Sequence, residues 1–305
     1  VHGGEMFRQS TLINSEVIDN IEACIPLAPL HNPGCLAGIR TAIRLFPNTR
    51  QIAVFDTAYH QSIPPWAFHY ALPRKFYDDY GVRRYGFHGT SHQYVAGEAA
   101  RMLKQPLDRT NLITLHLGNG ASITAIAHGK SVDTSMGMTP LAGVIMGTRS
   151  GDIDPAIIHL VAAQQNIALD DIMEILSNES GLKGICGEND LRNIHEKSAT
   201  GDAQARLALQ MLVYRYKQYV GAYLAVLGKT DAIVFTAGIG EKDPVVRQGV
   251  CDGMEHLGIV LDSELNKAWN GTPGVISRAD SPIKILVIPT DEELEIARQS
   301  VAIVS

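Results

Sequence analysis

The 305-residue sequence has no apolar run approaching about 18 residues, so it contains no candidate for a membrane-spanning helix. Its four cysteines, Cys24, Cys35, Cys186 and Cys251, form no C-x-x-C pair, which argues against a zinc site or a redox dithiol and suits a reducing compartment. Gly3, Gly4 and Glu5 stand where a signal peptide needs a basic start and an apolar centre, so the expected location is the cytoplasm. A basic excess is absent too: 26 Lys and Arg against 32 Asp and Glu leave a net charge of −6 with the signs interspersed, which argues against nucleic acid as a partner. Small anions must then be held by local groups. No low-complexity linker or short-period repeat interrupts the chain. The first residue is Val1 rather than Met, and the chain reads as though something precedes it.

The length sets an expectation of about two domains, and a chain of this size with 45% hydrophobic residues can bury a substantial core. Strand candidates Gln51 to Phe55, Leu112 to Leu117, Ser122 to Ala127, Ala232 to Phe235 and Lys284 to Ile288 alternate with helix candidates. Asp154-Pro155 opens a helix through about Gln164, with the carboxylate as cap and proline at the first helical position. Asp202 to Leu227 is apolar nearly all round and ends at Gly228, as a helix buried between layers would. A last helix starts at Thr290, with Glu293 at capping-box spacing. The alternation predicts an α/β protein with sheets flanked by helices and ligands at the loops after strands.

Two glycine turns follow strand candidates. His116-Leu117-Gly118-Asn119-Gly120 joins two strand-like runs, and Thr236-Ala237-Gly238-Ile239-Gly240-Glu241 precedes a helix-like segment, Pro244 to Leu257. Such turns can lay backbone N–H groups against a phosphate, yet neither fits the dinucleotide or P-loop pattern, and a glycine pair after a strand is more often only a turn. Asp56 follows a strand, His88 lies in Tyr85-Gly86-Phe87-His88-Gly89-Thr90-Ser91-His92, and Arg149 lies in Met146-Gly147-Thr148-Arg149-Ser150-Gly151-Asp152. Each has a plain alternative: Asp56 as a turn cap, His88 as a hydrogen-bonded core residue, Arg149 as a surface charge. Phosphoryl transfer needs their combination, namely cations around the transferring oxygens, a carboxylate for Mg²⁺, and backbone donors on the other phosphates.

These strings, with Val1 to Glu5, Leu27 to Pro33, Val54 to Gln61, Asp133 to Gly137, Met146 to Pro155 and Ile288 to Glu293, resemble the acetate kinase family in order and spacing over essentially the whole chain. The resemblance implies a two-domain actin-like ATPase fold with mixed sheets flanked by helices, its first domain incomplete. Residues 1–57 and 290–305 would be the remainder of the N-terminal domain, and residues 58–289 a second domain for nucleotide binding and dimerisation. It implies reversible transfer from ATP to acetate, giving acetyl phosphate and ADP, with Mg²⁺ or Mn²⁺ and a homodimeric assembly.

By resemblance, Asp56, His88 and Arg149 are catalytic: Arg149 neutralises the phosphoryl group in flight, His88 hydrogen-bonds it, and Asp56 positions substrate or Mg²⁺. Glu292 matches a glutamate that helps hold Mg²⁺; its place in the last helix also favours a carboxylate for purely structural reasons. The nucleotide is matched by His116, Gly118, Asn119, Gly120, Asp190, Leu191, Arg192, Gly238, Ile239, Gly240 and Glu241. Val1, Leu30, Phe87 and Pro140 match an acyl pocket in which valine suits acetate, and His31 matches a supporting histidine. One methylene is worth only about 1 to 3 kcal/mol, so propionate is expected to be a poorer substrate rather than an excluded one.

Two departures stand out. Lys242 follows Glu241 where many relatives have asparagine. The opening strand, the serine-rich phosphate loop and the arginine before the position of Val1 that the family carries are not in this sequence, from which exposed strand edges and poor turnover by these 305 residues alone are expected. The alternatives are a propionate or other short-chain acyl kinase, and a non-catalytic nucleotide-binding and dimerisation fragment. A chaperone-type ATPase fits least, because no peptide-binding domain is appended.

Overall fold

The computed structural model describes residues 1–29 and 31–305; the pocket candidate Leu30 lies outside them. Eight strands occur among these residues: β1 (Thr11–Leu12), β2 (Ile52–Ala53), β3 (Leu112–Leu117), β4 (Ala121–Ala127), β5 (Lys130–Thr134), β6 (Ala232–Thr236), β7 (Gly274–Val275) and β8 (Lys284–Val287). Six form one mixed sheet in the order β5-β4-β3-β6-β8-β7, with β3, β6 and β8 parallel and the outer strands antiparallel to their neighbours. The central strands are covered on both faces, which is why they read as near-continuous apolar runs.

Alternation along β3 sorts its side chains between two cores. Ile113, Leu115 and Leu117 enter the larger one with Ile123, Ala125 and Phe235, beneath helix Ala203–Leu227. Leu112 joins Val95, Ala96 and Ala99 of helix Gly89–Met102 on the opposite face. That second face also carries a polar stripe, because Thr114 stands directly opposite Thr124 and His116 opposite Ser122. All four are buried. The parallel strands β3, β6 and β8 end on one edge, and Gly118–Gly120, Ala237–Glu241 and Ile288–Glu292 follow there, at the place where α/β sheets bind ligands.

A smaller unit holds β1 and β2 with helices Ser15–Ala23 and Asn32–Leu45 around Phe7, Val17, Ile21, Leu36 and Phe55. Both strands of this pair are edges. Helix Glu292–Val304 packs against helix Gly89–Met102 and against β2.

Several expected bounds shift for identifiable reasons. Only Ile52–Ala53 of the Gln51 to Phe55 run is strand, because its partner β1 is two residues long. The second glycine turn is a short helix, Ala237–Lys242; a Cβ on Gly240 would stand 3.4 Å from Phe235 C and 3.5 Å from Leu115 O, so glycine lets the helix lie close on the sheet. The helix expected over Pro244 to Leu257 ends at Cys251, before Gly253 with φ +74°. The final helix is capped by Asp291, which accepts from Leu294 N at 2.9 Å, and the Thr290 hydroxyl is instead bonded to Ser91. The helix expected from Asp154 to about Gln164 runs Ala156–Gln165, with Asp154 accepting from Ala156 N. Helix Ala203–Leu227 starts at the Asp202 cap and ends at Gly228 as its sequence indicates, but it is not buried all round. Ala205, Ala208, Leu212, Tyr216, Val220 and Tyr223 line its inner face, and Leu207, Met211 and Tyr214 are exposed on another.

Candidate active site

The Tyr85 to His92 segment follows a path that ordinary residues avoid. Gly86 has φ +76°, and a Cβ there would stand 2.4 Å from Thr134 Cγ2. His88 is itself left-handed at φ +57°, a conformation that costs roughly 1 to 3 kcal/mol in a non-glycine residue and persists only when the surroundings enforce it. Asp56 supplies the enforcement: its Oδ2 accepts from His88 N at 2.7 Å, and its carbonyl accepts from Gly89 N at 2.9 Å. A Cβ on Gly89 would sit 2.3 Å from that carbonyl oxygen. Behind the turn, buried His60 reaches the Phe87 carbonyl through Nε2 at 2.9 Å and Ser131 Oγ through Nδ1 at 2.9 Å. Asp56 therefore does serve as the turn cap anticipated as its plain alternative, and it also holds the left-handed histidine in place.

His88 turns its Nδ1 to Ser122 Oγ at 2.8 Å, on the polar stripe of the sheet. Ser122 Oγ also meets His92 Nε2 at 2.8 Å, and His92 Nδ1 meets Thr114 Oγ1 at 2.7 Å. The opposite nitrogen of His88 looks across Gly120, where a Cβ would stand 3.6 Å from His88 Nε2 and 3.4 Å from Arg149 Nη1. His116 stacks on His88 with centroids 4.1 Å apart and bonds Ser91 Oγ through Nδ1. Burial comes first, followed by the positive charge of Arg149 and then the charge that His60 takes up in acid, in pushing His88 down to about 3. Burial likewise pushes His60 down to about 4, and His92 and His116 well below the usual histidine range. At neutral pH these four imidazoles are uncharged, and Arg149 is the cation among them.

Arg149 is held by its own loop. Nη1 donates to the Pro140 carbonyl at 3.2 Å. Gly181, with φ +61°, lets the next helix press against the loop, since a Cβ there would meet Met146 O at 2.2 Å and Arg149 O at 2.7 Å. The neighbouring turn is tied to it by Gly147 N, which donates to Asn119 O at 3.2 Å. Beside Arg149 opens a cavity of about 590 Å³ whose lining includes His31, Phe87 and Pro140. Val1 is not part of that lining; its carbonyl accepts from Asp56 N at 3.0 Å.

Glu292 opens the final helix half-buried, and its carboxyl is raised, first by burial and then by the negative charge of Asp56. Two carboxylates held within each other's field suit a divalent cation. Among the described residues no cluster of three or more His, Cys, Asp or Glu could hold a metal, so an ion held by Asp56 and Glu292 would have to take most of its shell from water or substrate, which Mg²⁺ accepts.

The remaining nucleotide candidates have mixed surroundings. Asp190 caps helix Leu191–Ala199, accepting from Arg192 N at 2.9 Å, and pairs with the exposed Arg192 guanidinium at 2.5 Å; these hydrogen bonds hold its carboxyl down at about 2. The Leu191 side chain is buried in the main core, which leaves only its backbone for a ligand. Gly238 is exposed with open space around it, half-buried Ile239 packs against the main core, and Glu241 Oε1 accepts from Thr290 N at 3.4 Å. Beneath this helix lies a residue that sequence reasoning missed: fully buried Arg247 donates to the Gly240 carbonyl at 3.0 Å and to Glu241 O, and through Nε to Asn266 Oδ1 at 2.6 Å. Its trace in the sequence is slight, since Arg247 follows Val246 and stands three residues before Val250 in a helix-like run whose apolar residues face the core. The buried partners His60, His92, Thr114 and Ser122 were missed as well; only His92, four residues after His88 at a helix start, left a trace in the sequence.

The acetokinase family model matches residues 1–298. This chain belongs to the acetokinase family. It is 54% identical over 303 residues to an acetate kinase of Maridesulfovibrio salexigens, covering 99% of this chain and 76% of the relative. It is 57% identical over 306 residues to one of Sulfurovum sp., covering 100% and 77%. Among solved structures, the Porphyromonas gingivalis acetate kinase superposes with a TM-score of 0.97 at 46% identity, covering 100% of this chain and 76% of that one. A propionate kinase of Francisella tularensis superposes at 0.93 with 44% identity, covering 98% and 76%. The acetokinase fold, with helices flanking its sheets, is therefore that of a two-domain ATPase, and the chain is an ATP-binding kinase that acts on a carboxylate. Among the described residues no helix is long and apolar enough to cross a membrane.

Proposed function

We propose that this acetokinase transfers the γ-phosphoryl group of ATP to acetate, forming acetyl phosphate and ADP, and runs in reverse when acetyl phosphate is abundant. The observation that carries the reading is the convergence of His88 Nε2 and Arg149 Nη1 over Gly120, with Arg149 also lining a cavity beside Phe87 and Pro140. An acetate oxygen attacks phosphorus in line as the bond to the β-phosphate bridging oxygen breaks, and that oxygen leaves on ADP. Acetate is ionised at neutral pH, so no proton is removed and no general base is required. Arg149 and His88 stabilise charge that spreads over the equatorial oxygens. Asp56 and Glu292 would hold Mg²⁺, which would supply neutralisation of the phosphate charge.

His116, Gly118, Asn119 and Gly120 lie at the sheet edge where the transferring phosphates would pass. Asp190, Arg192 and the helix Ala237–Lys242 would face the rest of the nucleotide. The two units of the fold, residues 1–57 with 290–305 and residues 58–289, would close around the substrates and exclude water. The exposed stripe of Leu207, Met211 and Tyr214 supports a homodimer through the second of these.

A propionate-preferring enzyme is the second reading, favoured by the Francisella neighbour and by the size of the cavity. The test is acyl phosphate formation from acetate, propionate and butyrate with MgATP, trapped with hydroxylamine, together with calorimetric ADP binding. The highest kcat/KM for acetate supports the proposal, and the highest for propionate transfers it to the second reading. ADP binding with no acyl phosphate from any acid would leave a nucleotide-binding protein and refute both.

A further inference from the structure

The proton positions on the buried histidines follow from hydrogen-bond accounting. Four polar groups form an unbranched chain: Thr114 Oγ1 to His92 Nδ1 at 2.7 Å, His92 Nε2 to Ser122 Oγ at 2.8 Å, and Ser122 Oγ to His88 Nδ1 at 2.8 Å. Thr114, His92 and Ser122 are fully buried, and among the described residues neither hydroxyl has a further partner. A neutral imidazole carries one N–H and one bare nitrogen, and a hydroxyl has a single hydrogen. Only two directions then leave Ser122 bonded to both rings with its own hydrogen used, since accepting from both would strand that buried hydrogen.

In the first, Thr114 donates to His92 Nδ1, His92 Nε2–H donates to Ser122, and Ser122 donates to His88 Nδ1. Every hydrogen along the chain finds an acceptor, and His88 is left with its proton on Nε2. In the second, all the bonds reverse, His88 Nε2 is bare, and the Thr114 hydroxyl hydrogen, fully buried, ends with no acceptor among the described residues. A buried donor without a partner disfavours that arrangement by roughly tenfold or more. The direction of the chain is therefore set at its far end, by a threonine on β3 two pairs of side chains away from the active site.

We propose that Thr114, His92 and Ser122 form a one-way relay that fixes His88 as the neutral Nε2–H tautomer, a permanent donor pointing beside Arg149 into the space over Gly120. Thr114 and Ser122 are positioning residues in this scheme. The value of the donor for catalysis rests on the phosphoryl-transfer reading above, whereas the tautomer does not. A bare Nε2 would present a lone pair to phosphoryl oxygens and repel them, so the relay decides whether His88 helps or hinders.

Nitrogen-15 NMR of the 305-residue chain labelled at histidine distinguishes the protonated from the bare ring nitrogen directly, with the His88 signals assigned by their loss in His88→Gln. The relay predicts a protonated Nε2 and a bare Nδ1 on His88 at neutral pH. It also predicts that Thr114→Val moves the His88 and His92 signals together toward averaged values, that Thr114→Ser restores them, and that kcat follows the tautomer while KM for acetate stays unchanged. A role in packing alone predicts the reverse ranking, because valine preserves the shape of threonine and serine does not. A bare Nε2 on wild-type His88 overturns the proposal, and so does a Thr114→Val spectrum identical to wild type. Should the tautomer respond as predicted in a chain that forms no acyl phosphate, the relay stands and the functional reading falls. Turnover that depends on His88 while its tautomer ignores Thr114 overturns the relay and leaves the functional reading standing.

Discussion

Replacing Gly120 by alanine separates folding from chemistry at the centre of the site. The added Cβ would stand 3.4 Å from Arg149 Nη1 and 3.6 Å from His88 Nε2, with no backbone atom among its nearest neighbours. Those are ordinary van der Waals distances, and Gly120 does not have a positive φ, so the fold has no reason to resist the methyl. Gly→Ala at a compatible position typically adds about 0.4 to 1 kcal/mol of stability by restricting the unfolded chain. The active site should respond in the opposite direction. An oxygen that accepts from both nitrogens lies about 2.9 Å from each, and the methyl would fill that wedge. Displacing a reacting group by about 1 Å can cost about 10² in rate. Gly120→Ala should therefore unfold in urea at or above the wild-type midpoint, bind ADP, and form acetyl hydroxamate about 10² slower. A folded variant with turnover within about twofold of wild type would show that the phosphoryl group does not pass over Gly120 and would refute the reasoning.

Gly89→Ala should behave in the opposite way, because its Cβ would lie 2.3 Å from the Asp56 carbonyl oxygen, a backbone atom that cannot swing aside. A loss of about 3 kcal/mol in urea unfolding is expected, and an unchanged midpoint would contradict the geometry. Acid should destabilise the protein before carboxylates are titrated. His2 and His60 are pushed down to about 4 and His88 to about 3, chiefly by burial, so below about 6.5 the unfolded chain takes up protons that the folded chain refuses. Stability is complete above that pH and falls as pH drops toward 4, by up to about 1.4 kcal/mol per unit for each such histidine, partly offset by the raised carboxyls of Asp133 and Glu292. Urea midpoints at pH 7.5, 6 and 5 check this, and a flat profile would exclude it. Glu292→Gln removes one of the two mutually interacting carboxylates and should raise the Mg²⁺ concentration needed for half-maximal rate with metal-free ADP binding unchanged; an unaltered Mg²⁺ dependence would remove Glu292 from the metal site.

The sequence made legible what depends on local pattern. The apolar run of β3, the cap of the long helix at Asp202 and its stop at Gly228 follow from periodicity and capping chemistry, and the structure has them within a residue or two. The strings around Asp56, His88 and Arg149 carried the family. Contacts between distant segments were not legible. Nothing near His88 in the chain indicates that Ser122 and Thr114, on two strands, complete its hydrogen bonding, or that His60 supports the turn through the Phe87 carbonyl. Gly238 and Gly240 suggested a loop because glycine is a poor helix former. The close approach of Gly240 to Phe235 and Leu115 explains why glycine serves a packed helix there. The long helix looked buried all round because composition cannot say which of two apolar stripes its own chain will cover.

The central claim is that Arg149 and His88 act on the phosphoryl group rather than on nucleotide affinity. The most direct measurement is the rate of hydroxylamine-trapped acetyl phosphate formation by Arg149→Ala beside the unmodified chain, with ADP affinity measured on both. The account predicts a loss of about 10³ or more in rate with ADP affinity within about threefold of the unmodified chain. Undiminished turnover by the variant, or a rate loss matched by an equal loss of ADP affinity, would contradict it.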